Sequence, residues 1–475
     1  MKKFLWLIII IVLGVTGCQG ARSPEPEPEL PEEQPAGDVE QKPPVEEQLS
    51  EEEVIMGDFA RLIAGGDSAA VGVFIDEHID RVCPASAEYM IEMLVVVHQR
   101  LAEEMNFKIF GSDYMEALNR DMEGVLRRNL IDNIKDPAIR EEFRAVSDSK
   151  LRVVRYEETP VVETDWEAIA GLKAYFSEDF ARMTVLYDLI QNNRRLYEGE
   201  GNKDLVSDIL LAESLILEND SGFLRTMLEE IYKKQIGAFL VGPEGSYIGA
   251  FMTKSGPDYE RITSYKATYE GHDLGRLVDK LEVLETDEFS LIGEVINSHN
   301  VFGVHSEMSY LPKSLIEGQG PFTIARVEIP GNSALEEKIN RTIDETANSL
   351  QSDIQGEKTL FVHPTFGSEA LLSLSLSASF SGEEGAYDYR QAFLTIDMTN
   401  GERMTLEDFL GLPYDSYAAP LEEILGTPVP ATAEFSVESF GISLNLPREG
   451  SLYSDYHLIT AGELMDLVDY RIFFK

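Results

Sequence analysis

Residues 391–412 read QAFLTIDMTNGERMTLEDFLGL, and this stretch decides how the C-terminal part of the chain folds. Its side chains alternate, with Leu394 and Ile396 on one face, and a repeat of two residues is the period of a β-strand. Asn400 and Gly401 predict a tight type I′ hairpin turn, because both residues tolerate the positive φ angles of that turn. The stretch therefore predicts a strand, a turn and a short second strand.

The pattern continues on both sides of this hairpin. Residues 371–381 alternate apolar residues with serine, which predicts a strand whose apolar face covers a core and whose serine face lies in solvent. Thr405 and Asp408 predict the N-cap of a short helix after the hairpin. Ser333 and Glu336 predict the N-cap of a longer amphipathic helix. Strands and helices around one core make an α+β domain.

Residues 50–240 have a different pattern, with apolar side chains at helical spacing and short polar connections. Amphipathic helices are predicted at residues 85–105, 114–134, 176–196, 204–217 and 222–240. Antiparallel packing in an array or bundle is the expected arrangement of such helices. The fold class is therefore α+β, with an N-terminal all-helical array or bundle and a C-terminal antiparallel sheet packed with helices.

The N-terminus has the pattern of an export signal. Lys2 and Lys3 precede an apolar run at residues 4–15. This run is too short to span a bilayer as a helix, which takes about 20 residues. The run leads into Val-Thr-Gly-Cys18, which resembles the lipobox of bacterial lipoproteins, where cleavage before the cysteine leaves it lipidated. Cys18 is therefore predicted to anchor the chain by a lipid to the extracytoplasmic face of a bacterial cell membrane, and a plain signal peptide is the alternative. If Cys18 is lipidated, Cys83 is the only other thiol and no intramolecular disulfide forms.

The chain carries 85 acidic and 40 basic residues, for a net charge of −45. Nucleic acid is not expected as a partner, because its phosphates would be repelled. The acidity could attract a cationic protein or peptide or divalent ions, although solubility outside the cytoplasm is a sufficient reason for it. Residues 19–49 hold seven prolines and nine acidic residues, which is typical of an extended, disordered tether.

No residue is predicted to be catalytic, to bind a cofactor or to ligate a metal. His299 and His305 are six residues apart, but no His-Glu-x-x-His or paired-cysteine motif accompanies them. The sequence also lacks a Gly-x-Ser-x-Gly elbow, a phosphate-binding P-loop and a dinucleotide fingerprint. Asp397 is interpreted as a solvated strand residue or one paired across the hairpin. Tyr265 and Tyr269 fit either core packing or an aromatic-lined groove for a glycan or peptide.

The last third of the chain contains a series of different short motifs, at Ile329-Pro330, Ile339-Asn340 and residues 374–380, 393–397, 400–406, 408–410, 440–444 and 457–460. In this order they resemble the PdaC-type deacetylase-associated domain and the RsiV-type C-terminal domain, two domains of unknown function in bacterial envelope proteins. In that family the domains occur beside polysaccharide deacetylases and in the outer part of a membrane anti-sigma factor that senses lysozyme. Tyr387 stands where family members often carry a histidine, so no site residue is carried over.

The predicted organisation has five parts: a lipoprotein signal peptide at residues 1–17, a Pro/Glu-rich disordered tether at 18–49, an all-α domain at 50–240, a mixed connector at 241–320 and an RsiV C-terminal-like α+β domain at 321–475. The first functional hypothesis is a non-catalytic, membrane-anchored envelope lipoprotein that binds or senses a wall glycan, a peptide or a cationic protein. One alternative is a scaffold that docks a membrane partner. The other is a cell-wall-metabolising enzyme with its site in the helical half, so whether the chain is an enzyme stays open.

Overall fold

The computed structural model of the protein describes residues 50–65, 68–110, 114, 125–126, 131, 133–156, 159–192, 202–219, 222–242, 248–283, 296, 309–314, 322–329, 331–351, 357–367, 370–381, 387–438, 441–447, 454–464, 467–468 and 472. The predicted signal peptide and tether, with Cys18, lie outside the described residues, as do His299 and His305. Two compact units, Met1–Ala181 and Arg182–Lys475, divide the chain. This division falls inside the segment predicted as one all-α domain, and the predicted boundaries at residues 240 and 320 stay predictions.

The N-terminal unit contains helices and one small sheet. Its elements are α1 (Glu51–Gly65), α2 (Ser68–His78), α3 (Pro84–Phe110), β1 (Val125–Leu126), α4 (Pro137–Asp148), β2 (Leu151–Tyr156), β3 (Thr159–Thr164) and α5 (Trp166–Ala170), and α6 (Glu178–Asn192) crosses the division. Ser50 and Glu53 form a capping box at the start of α1, because each side chain accepts a hydrogen bond from the other residue's backbone N–H. The helix predicted at residues 85–105 is confirmed by α3.

The sheet of this unit corrects the prediction of an all-helical region. Strands β1, β2 and β3 form an antiparallel sheet in that order. Val125 of β1, inside the helix predicted at residues 114–134, lies opposite Val154 of β2, which in turn lies opposite Val161 of β3. β-Branched side chains favour paired strands. The helical spacing of apolar residues within one segment does not show that the segment pairs with a strand much later in the chain.

A buried histidine joins α3 to the segment that contains β2 and β3. His98 is 1% exposed, its Nε2 contacts the carbonyl oxygen of Ser149, and its Nδ1 lies 3.2 Å from Thr164 Oγ1. Because a carbonyl can only accept, we assign the proton to Nε2, and Nδ1 then accepts from the Thr164 hydroxyl. Burial lowers the pKa of His98 to about 4 against the opposing effect of the Ser149 hydrogen bond, and the charge of Lys150 adds to the lowering. The imidazole is therefore neutral and structural.

The C-terminal unit has a helical part and a sheet part. The helices are α7 (Asn202–Glu218), α8 (Phe223–Ile236), α9 (Ile248–Thr253), α10 (Pro257–Ser264), α11 (Lys266–Tyr269) and α12 (Asp273–Val283), and a π-helical turn, Gly237–Val241, extends α8. The rings of Tyr265 and Tyr269 lie 6.3 and 6.5 Å from that of Phe239 on this turn, edge to face. These tyrosines therefore contribute to packing in the helical core.

Two sheets make up the sheet part. The larger has the order β4 (Ser309–Ser314), β5 (Phe322–Glu328), β6 (Glu357–Gly367), β7 (Leu371–Ser381), β8 (Tyr387–Asp397) and β9 (Glu402–Arg403), and the smaller has the order β10 (Glu434–Glu438), β11 (Gly441–Pro447) and β12 (Ser454–Thr460). Helices α13 (Ser333–Gln351), α14 (Leu406–Leu410), α15 (Tyr414–Leu425) and α16 (Ala461–Leu464) complete it. All pairs are antiparallel except β5 and β6, which are parallel because the crossover through α13 returns the chain in the same direction. The predicted α+β fold class is confirmed.

Helix α13 covers the apolar face of the larger sheet. Their shared core includes Ile339 and Ile343 of the helix and Leu374 and Leu394 of the strands, which confirms the predicted apolar face. Asn332, not the predicted Ser333, caps the helix. Its Oδ1 accepts from the backbone N–H of Leu335 at 3.3 Å, and an asparagine just before a helix is as good an N-cap as a serine.

The β8–β9 turn differs from the predicted type I′ turn. Asp397 lies opposite Glu402, which leaves a loop of four residues, and of the two predicted turn residues only Gly401 has a positive φ, at +73°. The Asp397 carboxylate accepts from the N–H of Thr399 and from Nδ2 of Asn400, each at 2.8 Å. A carboxylate that binds its own loop favours a longer turn. Asp397 ends β8 opposite Glu402, and its side chain binds the turn, a role that neither predicted interpretation included.

Cys83, just before α3, is part of a disulfide in the structure, which contradicts the prediction of a lone thiol. That prediction followed from lipidation of Cys18, which stays a prediction. Among the helices that the structure describes, none combines the length and the apolarity needed to cross a membrane.

Candidate functional site

The serine face of β7, predicted to lie in solvent, is partly buried under the smaller sheet. Ser373 of β7 is 0% exposed and Thr395, beside it on β8, is 1% exposed. The prediction of a solvated face is therefore wrong at this end of the strand. A repeat of two residues identifies the two faces of a strand, but it does not show whether a polar face meets water or another strand.

Hydroxyl groups of the larger sheet bind the edge of β10. Thr395 Oγ1 donates to the carbonyl oxygen of Phe435 at 2.9 Å, and Thr365 Oγ1 donates to that of Val437 at 2.9 Å. Ser373 Oγ accepts from the N–H of Val437 at 3.0 Å. These side chains satisfy backbone groups that an edge strand leaves without a strand partner. We call Thr365, Ser373 and Thr395 the hydroxyl seam.

A cleft of about 360 Å³ opens beside the hydroxyl seam, where the chain enters β10. It is lined by residues 403–405 and 431–435 and by Phe393 and Thr395 of β8. Clefts of roughly 300–1,000 Å³ typically hold small ligands. The lining combines buried apolar side chains with exposed polar ones, which is the usual composition of a binding site.

One arginine and one glutamate meet at this cleft. Arg403 Nη2 lies 3.0 Å from Glu434 Oε1 and also donates to the carbonyl oxygen of Phe393 at 3.3 Å. Glu434 Oε2 accepts from the N–H of Phe393 at 3.3 Å and from Nδ2 of Asn445 at 3.2 Å. Within the described part of the chain, Nε and Nη1 of Arg403 make no hydrogen bond. The arginine is therefore fixed at one nitrogen and open at the other two.

The capping box of α14 fixes the wall that carries this arginine. Thr405 N–H donates to the Asp408 carboxylate at 3.0 Å, and Asp408 N–H donates to Thr405 Oγ1 at 3.1 Å, which confirms the predicted cap. The hydrogen bonds from the hydroxyl and the backbone of Thr405 lower the pKa of Asp408. Met404 N–H donates to the carbonyl oxygen of Thr395 at 2.8 Å. The backbone that follows the arginine is thus held in place.

The side chains of the described lining suit binding better than acid–base catalysis. Glu434 is the one carboxylate among them, and three donors already hold it. Hydrolysis by carboxylates uses a pair of them, and a general base must reach a proton on the substrate. The cleft offers instead a cation with unused donors beside apolar surface.

A second group of ionisable side chains lies in the helical part of this unit. Glu213 of α7 is 4% exposed and accepts from the N–H of Asp273 through both oxygens at 3.1 Å. Its Oε1 lies 3.3 Å from His272 Nδ1. Asp273, which is 1% exposed, accepts from the hydroxyl of Tyr232 and from Nη2 of Arg276, each at 2.8 Å. We call these five residues the carboxylate cluster.

The carboxylate cluster ties three helices together. Glu213, from α7, accepts the first N–H of α12, a position where negative charge is favourable. Tyr232, from α8, has its pKa raised well above the ordinary value by burial and by the charges of Asp273 and Glu213. These contacts explain the cluster as a structural element. In the regions that the structure describes, no group of three or more histidine, cysteine, aspartate or glutamate side chains could hold a metal ion.

Cys18, the one site residue that the sequence predicts, lies outside the described residues. Arg403 and Glu434 were not predicted. They are 31 residues apart, on strands of different sheets, and the pattern within each strand does not show how two sheets pack. One signal was present, since Arg403 lies opposite the buried Ile396, and a charged residue beside a core position often has a polar partner.

No protein-family profile matches this sequence, and no curated protein is similar to it. Two solved structures of DUF3298 family proteins are distantly similar. The protein from Pseudomonas aeruginosa PAO1 is 11% identical with a TM-score of 0.24, and the match covers 35% of this chain and 93% of that one. The protein from Bacteroides fragilis NCTC 9343 is also 11% identical, with a TM-score of 0.21 and the same coverage. Similarity at this level assigns neither a ligand nor an activity to the chain.

Proposed function

We propose that this chain is a membrane-anchored envelope lipoprotein whose C-terminal unit binds or senses a component of the cell wall, either a glycan, a peptide or a protein. The observation that carries the proposal is the cleft with its exposed Arg403–Glu434 pair. The sequence around Cys18 supports a lipid anchor on the extracytoplasmic face of a bacterial membrane. The resemblance of residues 321–475 to the PdaC-type and RsiV-type domains supports a place in the envelope.

The test of binding uses the full chain in detergent and a complete enzymatic digest of purified cell wall. We expect wall fragments to be retained by the wild-type chain and to be lost from Arg403→Met, because methionine keeps the apolar stem but removes the guanidinium donors. Arg341→Met, which removes an exposed arginine of α13, is the matched control and should retain them. No retention by the wild type, or equal retention by all three, would contradict the proposal.

The test of the anchor counts lipids and thiols on the membrane-bound protein. A lipid on the sulfur of Cys18 leaves Cys83 as the only other cysteine, so the anchored form should carry one alkylatable thiol. A chain without the lipid has a second cysteine, which gives two alkylatable thiols or, in a disulfide, none. Intact mass after alkylation separates the two forms, and Cys18→Ser should release the protein from the membrane if the proposal is correct.

The two alternatives give different results. An enzyme of wall metabolism would convert the fragments, and loss of that turnover in Glu213→Gln at unchanged retention would place its site in the helical part. A scaffold would yield a crosslinked membrane partner in cells without added wall fragments.

A further inference from the structure

From the geometry of the cleft we infer that it binds the acetamido group of an N-acetylated amino sugar. The inference rests on the proposed function and specifies the ligand of the same site. It follows from three properties of the cleft, which are the hydrogen-bonding capacity of its charged pair, its apolar lining and its charge.

The charged pair offers donors rather than acceptors. Glu434 already accepts from Arg403, from the N–H of Phe393 and from Asn445. Arg403 uses Nη2 for two protein acceptors, and among the residues that the structure describes its Nε and Nη1 have no acceptor. Its side chain is 46% exposed. A guanidinium has five N–H donors and no acceptor. The complementary ligand group is therefore a hydrogen-bond acceptor such as a carbonyl oxygen.

The apolar lining suits a small apolar substituent next to that acceptor. Phe393 is 1%, Phe435 2% and Ala433 8% exposed, and all three line the cleft. The backbone of Phe393 contacts both members of the charged pair, since its N–H donates to Glu434 and its carbonyl oxygen accepts from Arg403, so the pair lies beside a residue of this lining. A methyl group buried there gains hydrophobic free energy. A carbonyl with a methyl group attached is the acyl end of an acetamido group.

Charge favours a neutral carbonyl over an anion. Glu434 balances the charge of Arg403 at 3.0 Å, and the chain has a net charge of −45. A free carboxylate or phosphate would approach against this field, whereas a neutral amide would not. The volume of about 360 Å³ lies near the lower end of the range for ligand sites, which suits one sugar ring.

The test measures binding of N-acetylglucosamine, glucosamine and acetate to the full chain in detergent, by saturation-transfer NMR and titration. We expect N-acetylglucosamine to bind with its strongest saturation at the acetyl methyl, and glucosamine and acetate to bind at least about tenfold more weakly. Glucosamine lacks the acetyl group, and acetate is an anion without the sugar. Arg403→Met should weaken N-acetylglucosamine by about tenfold or more, and Arg341→Met should not change it. Circular dichroism should be the same for all three proteins.

Two results would overturn the inference. If acetate binds as tightly as N-acetylglucosamine, the cleft is an anion site. If N-acetylglucosamine does not bind while wall digest is retained in an Arg403-dependent way, the ligand is another wall component, and the proposed function stands without the acetamido group. Absence of both N-acetylglucosamine binding and digest retention removes the proposed function as well.

Discussion

The carboxylate cluster and the cleft both concentrate polar side chains in the C-terminal unit, but they differ in burial and in how completely those side chains are paired. In the cluster, Glu213 and Asp273 are 4% and 1% exposed and accept from donors on neighbouring helices. In the cleft, the side chains of Arg403 and Glu434 are 46% and 31% exposed, and two nitrogens of the arginine have no acceptor in the described part of the chain. Buried and internally paired groups should therefore affect stability, whereas exposed and partly paired groups should affect binding.

The largest effect is expected in the carboxylate cluster. Glu213→Ala removes the acceptor of the buried N–H of Asp273 and a negative charge at the N-terminus of α12. The unsatisfied N–H costs about 1–3 kcal/mol, and the lost negative charge at the N-terminus of α12 costs up to about 2 kcal/mol more. Hydrogen exchange of α7, α8 and α12 reports this loss locally.

The matched control is Glu270→Ala, which removes an exposed carboxylate close to α12. It should change exchange in these helices little. If Glu213→Ala left their protection unchanged, the carboxylates would be free of a structural role and the enzyme alternative would gain support.

A second prediction extends the comparison to His98 in the N-terminal unit. Its folded pKa of about 4 lies below the ordinary value of 6.5, so the unfolded chain binds a proton first as the pH falls. The contribution of His98 to the free energy of unfolding is complete above pH 6.5 and is lost progressively as the pH falls to about 4. The total loss is about 3 kcal/mol. Urea unfolding of the N-terminal unit at several pH values, monitored through Trp166, should show this slope.

His98→Gln should be less stable at neutral pH but should lack this part of the slope, because glutamine does not titrate. The difference in slope between the two proteins reports the titration of His98 separately from that of the many carboxylates. Identical slopes between pH 6.5 and 4 would show that His98 gains or loses its proton equally in both states.

A third prediction concerns the hairpin that leads into Arg403. Gly401 has a φ of +73°, and a Cβ atom there would lie 3.0 Å from Leu335 Cδ1. Gly411 has a φ of +65°, and a Cβ atom there would meet nothing within 4 Å. Gly401→Val should therefore cost about 2 kcal/mol or more and Gly411→Val about 1 kcal/mol. Equal losses of thermal stability would show that the turn does not pack against α13.

These residues also show which features of the fold can be predicted from the sequence. The alternation around Leu394 and the capping pair Thr405–Asp408 are local patterns, and the structure confirms both. The turn was predicted at the right place but with the wrong type, because Asp397 binds its own loop. Local chemistry thus gives the strand and the cap, and competition between local hydrogen bonds decides the turn.

The rest depends on packing between distant segments. The serine face of β7 is polar in sequence, yet Ser373 is buried because its hydroxyl binds β10. Arg403 and Glu434 are brought together by the same docking of one sheet on the other. A pattern within one strand carries no information about which strand covers it, so the cleft could not be predicted.

The smallest effect on stability is expected at the cleft, and it is the sharpest test of the comparison. Arg403→Met removes one half-exposed ion pair, and such pairs contribute about 0–1 kcal/mol because water and salt screen them. The other hydrogen bond of its side chain within the described residues goes to the carbonyl oxygen of Phe393 at 3.3 Å, and water can replace it. The variant should therefore lose ligand but keep the thermal stability and the hydrogen-exchange protection of β8 and β10. A loss of stability as large as that of Glu213→Ala would mean that Arg403 holds the two sheets together, and the distinction between a structural cluster and a binding cleft would fail at the residue on which it depends.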